Sequence, residues 1–192
     1  FTTNFKLFKH FSVSVGGQYQ ETWTGKTIKI NDFDETRGSI SRDTISGFDR
    51  FRTYNYNASI TTKVYGIVNF KPEKKIQSIR HTITPSISYS NNPSFEEYYN
   101  TYIIDANGNT AEYSRFQGGL YNQPSKAYSS SIGLSLNNTI EAKVKPKDST
   151  ETELRKINII KSLNITTAYN IAAEEFNLSP IRVSSSFDIA RG

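Results

Sequence analysis

The chain has 192 residues, of which 35% are hydrophobic, with a mean hydropathy of −0.56 and a formal net charge of +5. No apolar run approaches the roughly 20 residues of a membrane-spanning helix. The absence of cysteine excludes disulfides, thiolate metal sites and cysteine nucleophiles. Basic and acidic residues are mixed along the chain rather than gathered into a basic stripe, so we expect no nucleic-acid partner.

Alternation of apolar and polar residues predicts a series of antiparallel strands, each with one apolar and one polar face. A strand tail at residues 1–6 is followed by a tight turn and a strand from Phe11 to Trp23. We predict a long charged loop at residues 24–51. The preceding strand can extend into this loop through residues 27–30. Two long strands follow, at residues 52–70 and 78–89, joined by the short turn KPEKK.

The second half of the chain repeats this arrangement. Residues 91–126 predict a long loop with a hairpin tip, where Asn107-Gly108 supplies the positive φ angles of a tight turn. Strands at residues 128–144 and 157–170 are joined by a polar turn, and a last strand covers residues 181–189. The sequence thus predicts about six to seven strands.

The predicted strands are long enough to cross a bilayer, which takes roughly 9–11 residues of tilted strand. Strands of a soluble β-sandwich are typically about half that length. The fold class we predict is all-β, an antiparallel arc of a larger transmembrane β-barrel with long external loops and short periplasmic turns. Six strands are fewer than the roughly eight of the smallest such barrels. We therefore expect residues 1–192 to form part of one barrel domain, with a signal peptide and a periplasmic N-terminal domain absent from the chain.

Alternation also divides the side chains between the two faces. The apolar face, predicted to contact lipid, includes Ile60, Val64, Ile83, Ile87, Leu134, Leu136, Leu163, Ile165 and Val183. Aromatic residues at the long-loop ends of the strands, called here the aromatic set, predict an interfacial girdle: Tyr19, Trp23, Tyr54, Tyr56, Tyr89, Tyr128 and Tyr169.

Charges on the polar face are the best candidate ligand-binding residues of the sequence. They are predicted to face the lumen: Lys63, Arg80, Lys143, Arg182, Glu141 and Asp188. There they would contact a ligand inside the lumen. The alternative is that they pair with one another and only keep the lumen hydrated.

Catalytic and metal-binding patterns are lacking in the sequence. The two histidines, His10 and His81, form neither a metal cluster nor a triad. Adjacent glutamates at 96–97 and 174–175 resemble solvated loop charges more than an acid–base pair. We expect no enzyme activity, no metal and no cofactor. Pro85, in the middle of a strand, predicts a bulge or a locally unpaired position.

Three segments resemble one family. They read KVYGIVNFKPEKKIQSIRHTITPSISYSNNPSF, YSRFQGGLYNQPSKAYSSSIGLSLNNTIEAKVKPKD and INIIKSLNITTAYNIAAEEFNLSPI. They are similar to the lipopolysaccharide-assembly outer-membrane barrels (LptD, also called OstA) in their Bacteroidetes-type version. The resemblance implies delivery of lipopolysaccharide to the outer leaflet of a Gram-negative outer membrane. It also implies an LptE-like lipoprotein plug, periplasmic lipopolysaccharide-bridge proteins and outer-membrane lipids as partners.

Two other functions remain open on the sequence alone. A porin or a TonB-dependent transporter is a different outer-membrane barrel with the same alternation. A soluble extracellular glycan-binding β-domain also alternates apolar and polar residues, but the sorting of tyrosines to one end of the strands argues against it.

Overall fold

The structure, a computed structural model, describes residues 1–146 and 153–187, and these residues form an all-β protein. A single turn of 3₁₀ helix at Glu96–Tyr98 accompanies the strands. The strands are β1 (Thr2–Leu7), β2 (Phe11–Ile30), β3 (Arg42–Thr62), β4 (Val64–Asn69), β5 (Ile76–Asn92), β6 (Tyr99–Ile103), β7 (Thr110–Ser114), β8 (Ser129–Val144), β9 (Arg155–Asn170) and β10 (Arg182–Ser186).

One antiparallel sheet contains most of these strands. Its order among the described residues is β1-β2-β3-β5-β8-β9-β10, with β4 pairing β5. Strands that follow one another along the chain are therefore mostly neighbours in the sheet, as hairpin connections require. The order ends at β1 on one side and at β10 on the other, which confirms the predicted arc of antiparallel strands.

Two compact units make up the chain, and several strands contribute residues to both. The first comprises residues 1–16, 57–90 and 131–192 and contains the short turns. In it β1 pairs β2 from Thr2↔Gly16 to Leu7↔Phe11, and β8 pairs β9 in a register that shifts near Asn138 and Ile140. Such shifts mark β-bulges, where an extra residue interrupts the ladder.

The second unit comprises residues 17–56 and 91–130 and contains the long connections. Its core consists of aromatic rings, those of Phe51, Phe95, Tyr98 and Phe116. The Arg115 guanidinium lies 5.1 Å from the centre of the Tyr98 ring and 4.8 Å from that of Phe116. Stacking of this kind stabilises a cation on an aromatic face.

The prediction of a loop at residues 24–51 was wrong in extent. Strand β2 continues to Ile30 and β3 begins at Arg42, so only residues 31–41 connect them. Charged and glycine residues in this region hide the apolar alternation, although the backbone continues as strand. The extension through residues 27–30 is confirmed.

The predicted hairpin tip is present, with a different turn geometry. Strands β6 and β7 pair around it, and the Ile104 amide donates to the Asn109 carbonyl at 2.8 Å. Gly108 has a φ of 80°, but Asn107 is not among the residues with positive φ, so the Asn-Gly pair supplies one such angle rather than two. The Asp105 carboxylate accepts the Asn107 and Asn109 amides at 2.9 and 3.1 Å and thereby shapes the turn.

Strand β5 runs unbroken through Pro85, and the interruption lies in the neighbouring strand beside it. Strand β3 ends at Thr62 and β4 begins at Val64, which pairs with Ile83. The Thr61 hydroxyl donates to the Pro85 carbonyl at 3.0 Å. Proline has no N–H to give to a neighbouring strand, which accounts for a break at this point. Within the described chain, no helix is both long and apolar enough to cross a membrane.

Candidate functional site

A group of charged side chains on one face of β5, β8 and β9, called here the basic cluster, is the candidate site. It consists of Arg80, Glu141, Lys143 and Lys156. The Arg80 Nε donates to Glu141 Oε2 at 2.9 Å, and Lys156 forms an ion pair with the other oxygen of the same carboxylate. The Glu141 side chain is 13% exposed, whereas those of Arg80 and Lys156 are about half exposed.

Backbone register explains why these residues meet. Lys143 pairs directly with Lys156 across β8 and β9, and Glu141 pairs with Asn158 two positions along. Arg80 pairs with Ile67 on β4. Paired residues share a face of the sheet, so alternation in three strands brings the charges to one side.

The electrostatics of the basic cluster favour an anion. Two lysines directly opposite each other repel and destabilise the pairing. Glu141 relieves part of this repulsion, but the cluster contains three cations and one carboxylate, so two positive charges remain in excess. Charge-assisted hydrogen bonds from arginine and lysine to phosphate are among the stronger polar contacts in proteins.

A cavity of about 480 Å³ borders the basic cluster, and Asn69 and Ser78 complete its polar lining. The cavity lies near the short turns of the first unit, where the Lys145 amide donates to the Lys75 carbonyl at 2.9 Å. It is large enough to accommodate an anionic group of a ligand.

Three of the six charges predicted for the polar face are thus together, namely Arg80, Glu141 and Lys143. The other described members are not among the residues that line this cavity: Lys63 lies between β3 and β4, and Arg182 pairs with Thr166 at the far strand. Asp188 lies outside the described residues.

Sequence reasoning missed Lys156. The sequence predicts that this strand starts at residue 157, whereas β9 begins at Arg155. Alternation could have identified Lys156, because its position has an even number, like the positions of the polar residues of that strand.

The predicted apolar face can be followed through the pairing of the strands. Val64 lies opposite Ile83, and Leu136 lies opposite Ile165, which in turn lies opposite Val183. The remaining residues lie in their predicted strands: Ile60 in β3, Ile87 in β5, Leu134 in β8 opposite Thr167, and Leu163 in β9 opposite Asn138. Contact of this face with lipid stays a prediction.

One polar pair interrupts that face. The His81 Nε2 lies 3.1 Å from the Asn138 Oδ1, and His81 itself lies opposite Gly66 in the ladder that also pairs Val64 with Ile83. The two side chains satisfy each other, which lowers the cost of placing polar groups among apolar ones.

Members of the aromatic set lie in both units. In the second unit, the Tyr19 hydroxyl and the Trp23 indole donate to Glu21 at 3.0 and 2.8 Å, and Arg50 pairs with the same carboxylate at 2.7 Å. The glutamate is thus neutralised between two aromatic rings. Tyr54, Tyr56 and Tyr128 lie in the second unit, and Tyr89 and Tyr169 in the first.

In the described parts of the chain, no group of three or more histidine, aspartate or glutamate side chains has the arrangement of a metal site. The loop residues Asp32 and Asp34 accept backbone hydrogen bonds, Asp32 from the Ile103 amide at 2.8 Å and Asp34 from the Thr36 amide at 2.9 Å.

The fold and the basic cluster define the class of this protein. Its long antiparallel strands have one apolar face and one charged polar face, as in an arc of an outer-membrane barrel. The model of the LptD protein family matches residues 1–192, and the chain belongs to that family. Its members serve lipopolysaccharide transport and assembly at the outer membrane, and it is not a family of enzymes. No curated protein and no solved structure matched the chain.

Proposed function

We propose that this protein is an outer-membrane barrel component that delivers lipopolysaccharide to the outer leaflet. The observation that supports it most is the family match over residues 1–192. In this proposal the whole chain is part of one barrel domain, the polar face lines a hydrated lumen, and the apolar face contacts the lipids of a Gram-negative outer membrane.

The basic cluster supports a place where lipopolysaccharide would bind. It lies near the short turns, which in outer-membrane barrels face the periplasm. Lipopolysaccharide would therefore meet Arg80, Lys143 and Lys156 as it enters from the periplasmic side. Their excess positive charge suits phosphate groups on the glycolipid. The wall guides its substrate passively, and energy is supplied elsewhere.

The proposed partners follow from the family. Periplasmic lipopolysaccharide-bridge proteins would deliver the substrate, and an LptE-like lipoprotein would occupy the lumen. The carboxylates of that plug are a second class of ligand for the basic cluster. Tyrosines and the tryptophan of the aromatic set would lie at the membrane interface, where amphipathic rings are favoured.

A porin or a TonB-dependent transporter is the alternative within the same architecture, and a soluble glycan-binding domain is the alternative outside it. Membership of the LptD family argues against both. Uptake of a small solute would favour the first alternative, and solubility of the folded protein without detergent would favour the second.

Photo-crosslinking in living cells tests the proposal. A photoreactive amino acid at position 78 would lie on the face of the basic cluster, because Ser78 lines its cavity. The same group at position 79 would lie on the opposite face, because Ile79 is the next residue of β5. We expect lipopolysaccharide to crosslink at position 78 and much less at position 79. Equal yields at both positions, or no glycolipid at position 78, would contradict the proposal.

A further inference from the structure

A second cavity, of about 630 Å³, lies within the second unit, and none of its described lining residues carries a formal charge. Amides, hydroxyls and aromatic rings make up most of its wall. This cavity is called here the amide cradle, and its lining includes Gln18, Gln20, Thr53, Asn55, Asn92 and Tyr121.

The floor of the amide cradle comes from β2 and β3. Gln18 and Gln20 are two positions apart in β2, and Thr53 and Asn55 are two positions apart in β3, so each pair shares a face. The Asn55 Nδ2 donates to Gln18 Oε1 at 3.4 Å, which places both pairs on the same side of the sheet. An amide offers two donors and two acceptor lone pairs, so one long bond leaves most of this capacity for a ligand.

A second polar pair and a fixed segment form the walls. The Asn92 Nδ2 donates to Ser129 Oγ at 3.3 Å. Hydrogen bonds to backbone carbonyls hold the neighbouring segment: the Phe95 amide donates to the Ser125 carbonyl at 3.0 Å, and the Tyr99 hydroxyl donates to the Pro124 carbonyl at 2.7 Å. The polar groups are thereby positioned in advance, which lowers the entropy lost when a ligand binds.

Aromatic surface is available beside the amides. Tyr121 is 61% exposed and lines the cavity, as do the rings of Phe51 and Phe95. An exposed tyrosine ring presents an apolar surface with a polar hydroxyl tip.

The ligand chemistry follows from this composition. A phosphate or carboxylate would lose its hydration without meeting a cation, which is unfavourable. A purely apolar ligand would bury the amides without partners. A saccharide fits both features, since its hydroxyls donate and accept hydrogen bonds while its C–H faces pack on aromatic rings. We propose that the amide cradle is a binding site for neutral saccharides.

This inference deepens the proposed function and rests on it for the origin of the ligand. The sugar chain of lipopolysaccharide is one source, because the second unit contains the long connections that face outward in outer-membrane barrels. Free neutral polysaccharide at the cell surface is the other source, with the same chemistry. The two sites then bind different parts of the glycolipid: the basic cluster binds its anionic groups, and the amide cradle binds its neutral sugars.

Calorimetric titration of the full-length protein in detergent micelles tests the inference. One probe is the polysaccharide released from the organism's own lipopolysaccharide by mild acid and then dephosphorylated. The second probe is a short dextran, a neutral glucan unrelated to lipopolysaccharide. We expect saturable binding of the released polysaccharide and no competition by inorganic phosphate. Binding of the released polysaccharide alone identifies lipopolysaccharide as the source, and binding of both probes identifies neutral saccharides in general.

Variants locate the binding. Gln18→Ala and Asn55→Ala should each weaken binding roughly threefold to tenfold, the effect of one lost hydrogen bond. Gln18→Glu, which keeps the shape of the side chain, should weaken it to a similar extent and serves if an alanine variant does not fold. The control is Gln117→Ala, which removes an amide of the same unit from outside the cradle and should bind like the wild type.

Two results would overturn the inference. One is the absence of saturable binding of either saccharide to the wild-type protein. The other is unchanged affinity in the folded cradle variants. Failure of the proposed function is distinguishable: surface lipopolysaccharide would be unaffected by depletion of the protein while saccharide binding persisted. Normal dependence of lipopolysaccharide export on the protein, without saccharide binding, would reject the amide cradle alone.

Discussion

Substitution of Leu136 by arginine should strongly impair assembly of the protein, whereas the same substitution at Ser135 should not. The two residues are neighbours in β8 and point to opposite faces. Leu136 lies opposite Ile165, and Ile165 opposite Val183, so the apolar face continues across three strands at this level. Ser135 lies opposite Thr166 on the polar face.

The magnitude follows from depth in the membrane. Tyr169, a member of the aromatic set, lies opposite Ile132, four residues from Leu136. In the proposed membrane orientation, a strand tilted by about 40° advances about 2.5 Å of depth per residue, which would put Leu136 about 10 Å below that tyrosine. An apolar band about 25 Å tall would then have Leu136 near its middle, where arginine costs about 2–4 kcal/mol. At about 1.4 kcal/mol per factor of ten, this lowers the folded-to-unfolded ratio by roughly 30-fold to 700-fold.

Urea titration of the full-length protein in lipid vesicles measures this effect, with the gel mobility of the unheated protein as the readout of folding. Leu136→Arg should shift the midpoint to lower urea, and Ser135→Arg should stay within about 0.5 kcal/mol of the wild type. The assigned faces would be refuted by equal destabilisation from both substitutions, or by a larger effect at Ser135.

Three other predictions concern single charged residues. Glu141→Gln should leave the basic cluster with uncompensated cations and lower stability by about 1 kcal/mol, a value reduced for solvent screening, as measured by urea titration. Arg115→Lys should loosen the aromatic core around Tyr98, because lysine loses the planar stacking of guanidinium, and should raise hydrogen exchange there roughly fivefold or more. The Asn109 side chain holds the pKa of the Asp105 carboxyl below its usual range, so the hairpin tip should keep its order above that range and lose it as pH falls through the lowered pKa, as followed by exchange of the Asn109 amide.

Each of these has a matched control. Glu112→Gln removes the acid of an exposed ion pair with Lys126 and should change stability by less than about 0.5 kcal/mol. If Glu112→Gln lowers stability as much as Glu141→Gln does, the charges of the basic cluster contribute no more to stability than those of an exposed ion pair. Arg37→Lys affects only an exposed local pair and should leave exchange in the aromatic core unchanged. Asp105→Asn should abolish the pH dependence of the tip, and persistence of that dependence would assign it to another group.

Alternation predicted most of the sheet, because the period of two is intrinsic to an extended backbone. It located β5, β8 and β9 and the faces of Arg80, Glu141 and Lys143. It failed where charges and glycines obscure the pattern, as in β2 and β3 within residues 24–51, although the backbone there still pairs.

The sites depend on contacts that a linear pattern does not contain. Lys156 joins the basic cluster because β9 begins before the predicted position and because bulges set its register against Lys143. The amide cradle brings Gln18 and Asn55 together with residues near 125. No sequence spacing predicts that amides so far apart in the chain come together, so only the fold shows that they are close.

Depletion of the full-length protein in its own organism tests the central claim most directly. Lipopolysaccharide at the cell surface would be quantified over time against the pool retained in the inner membrane and periplasm. Our account predicts that surface lipopolysaccharide falls and the internal pool rises before the envelope loses its integrity. Unchanged surface lipopolysaccharide, accompanied by altered uptake of a small solute, would contradict it and would assign the protein to solute transport.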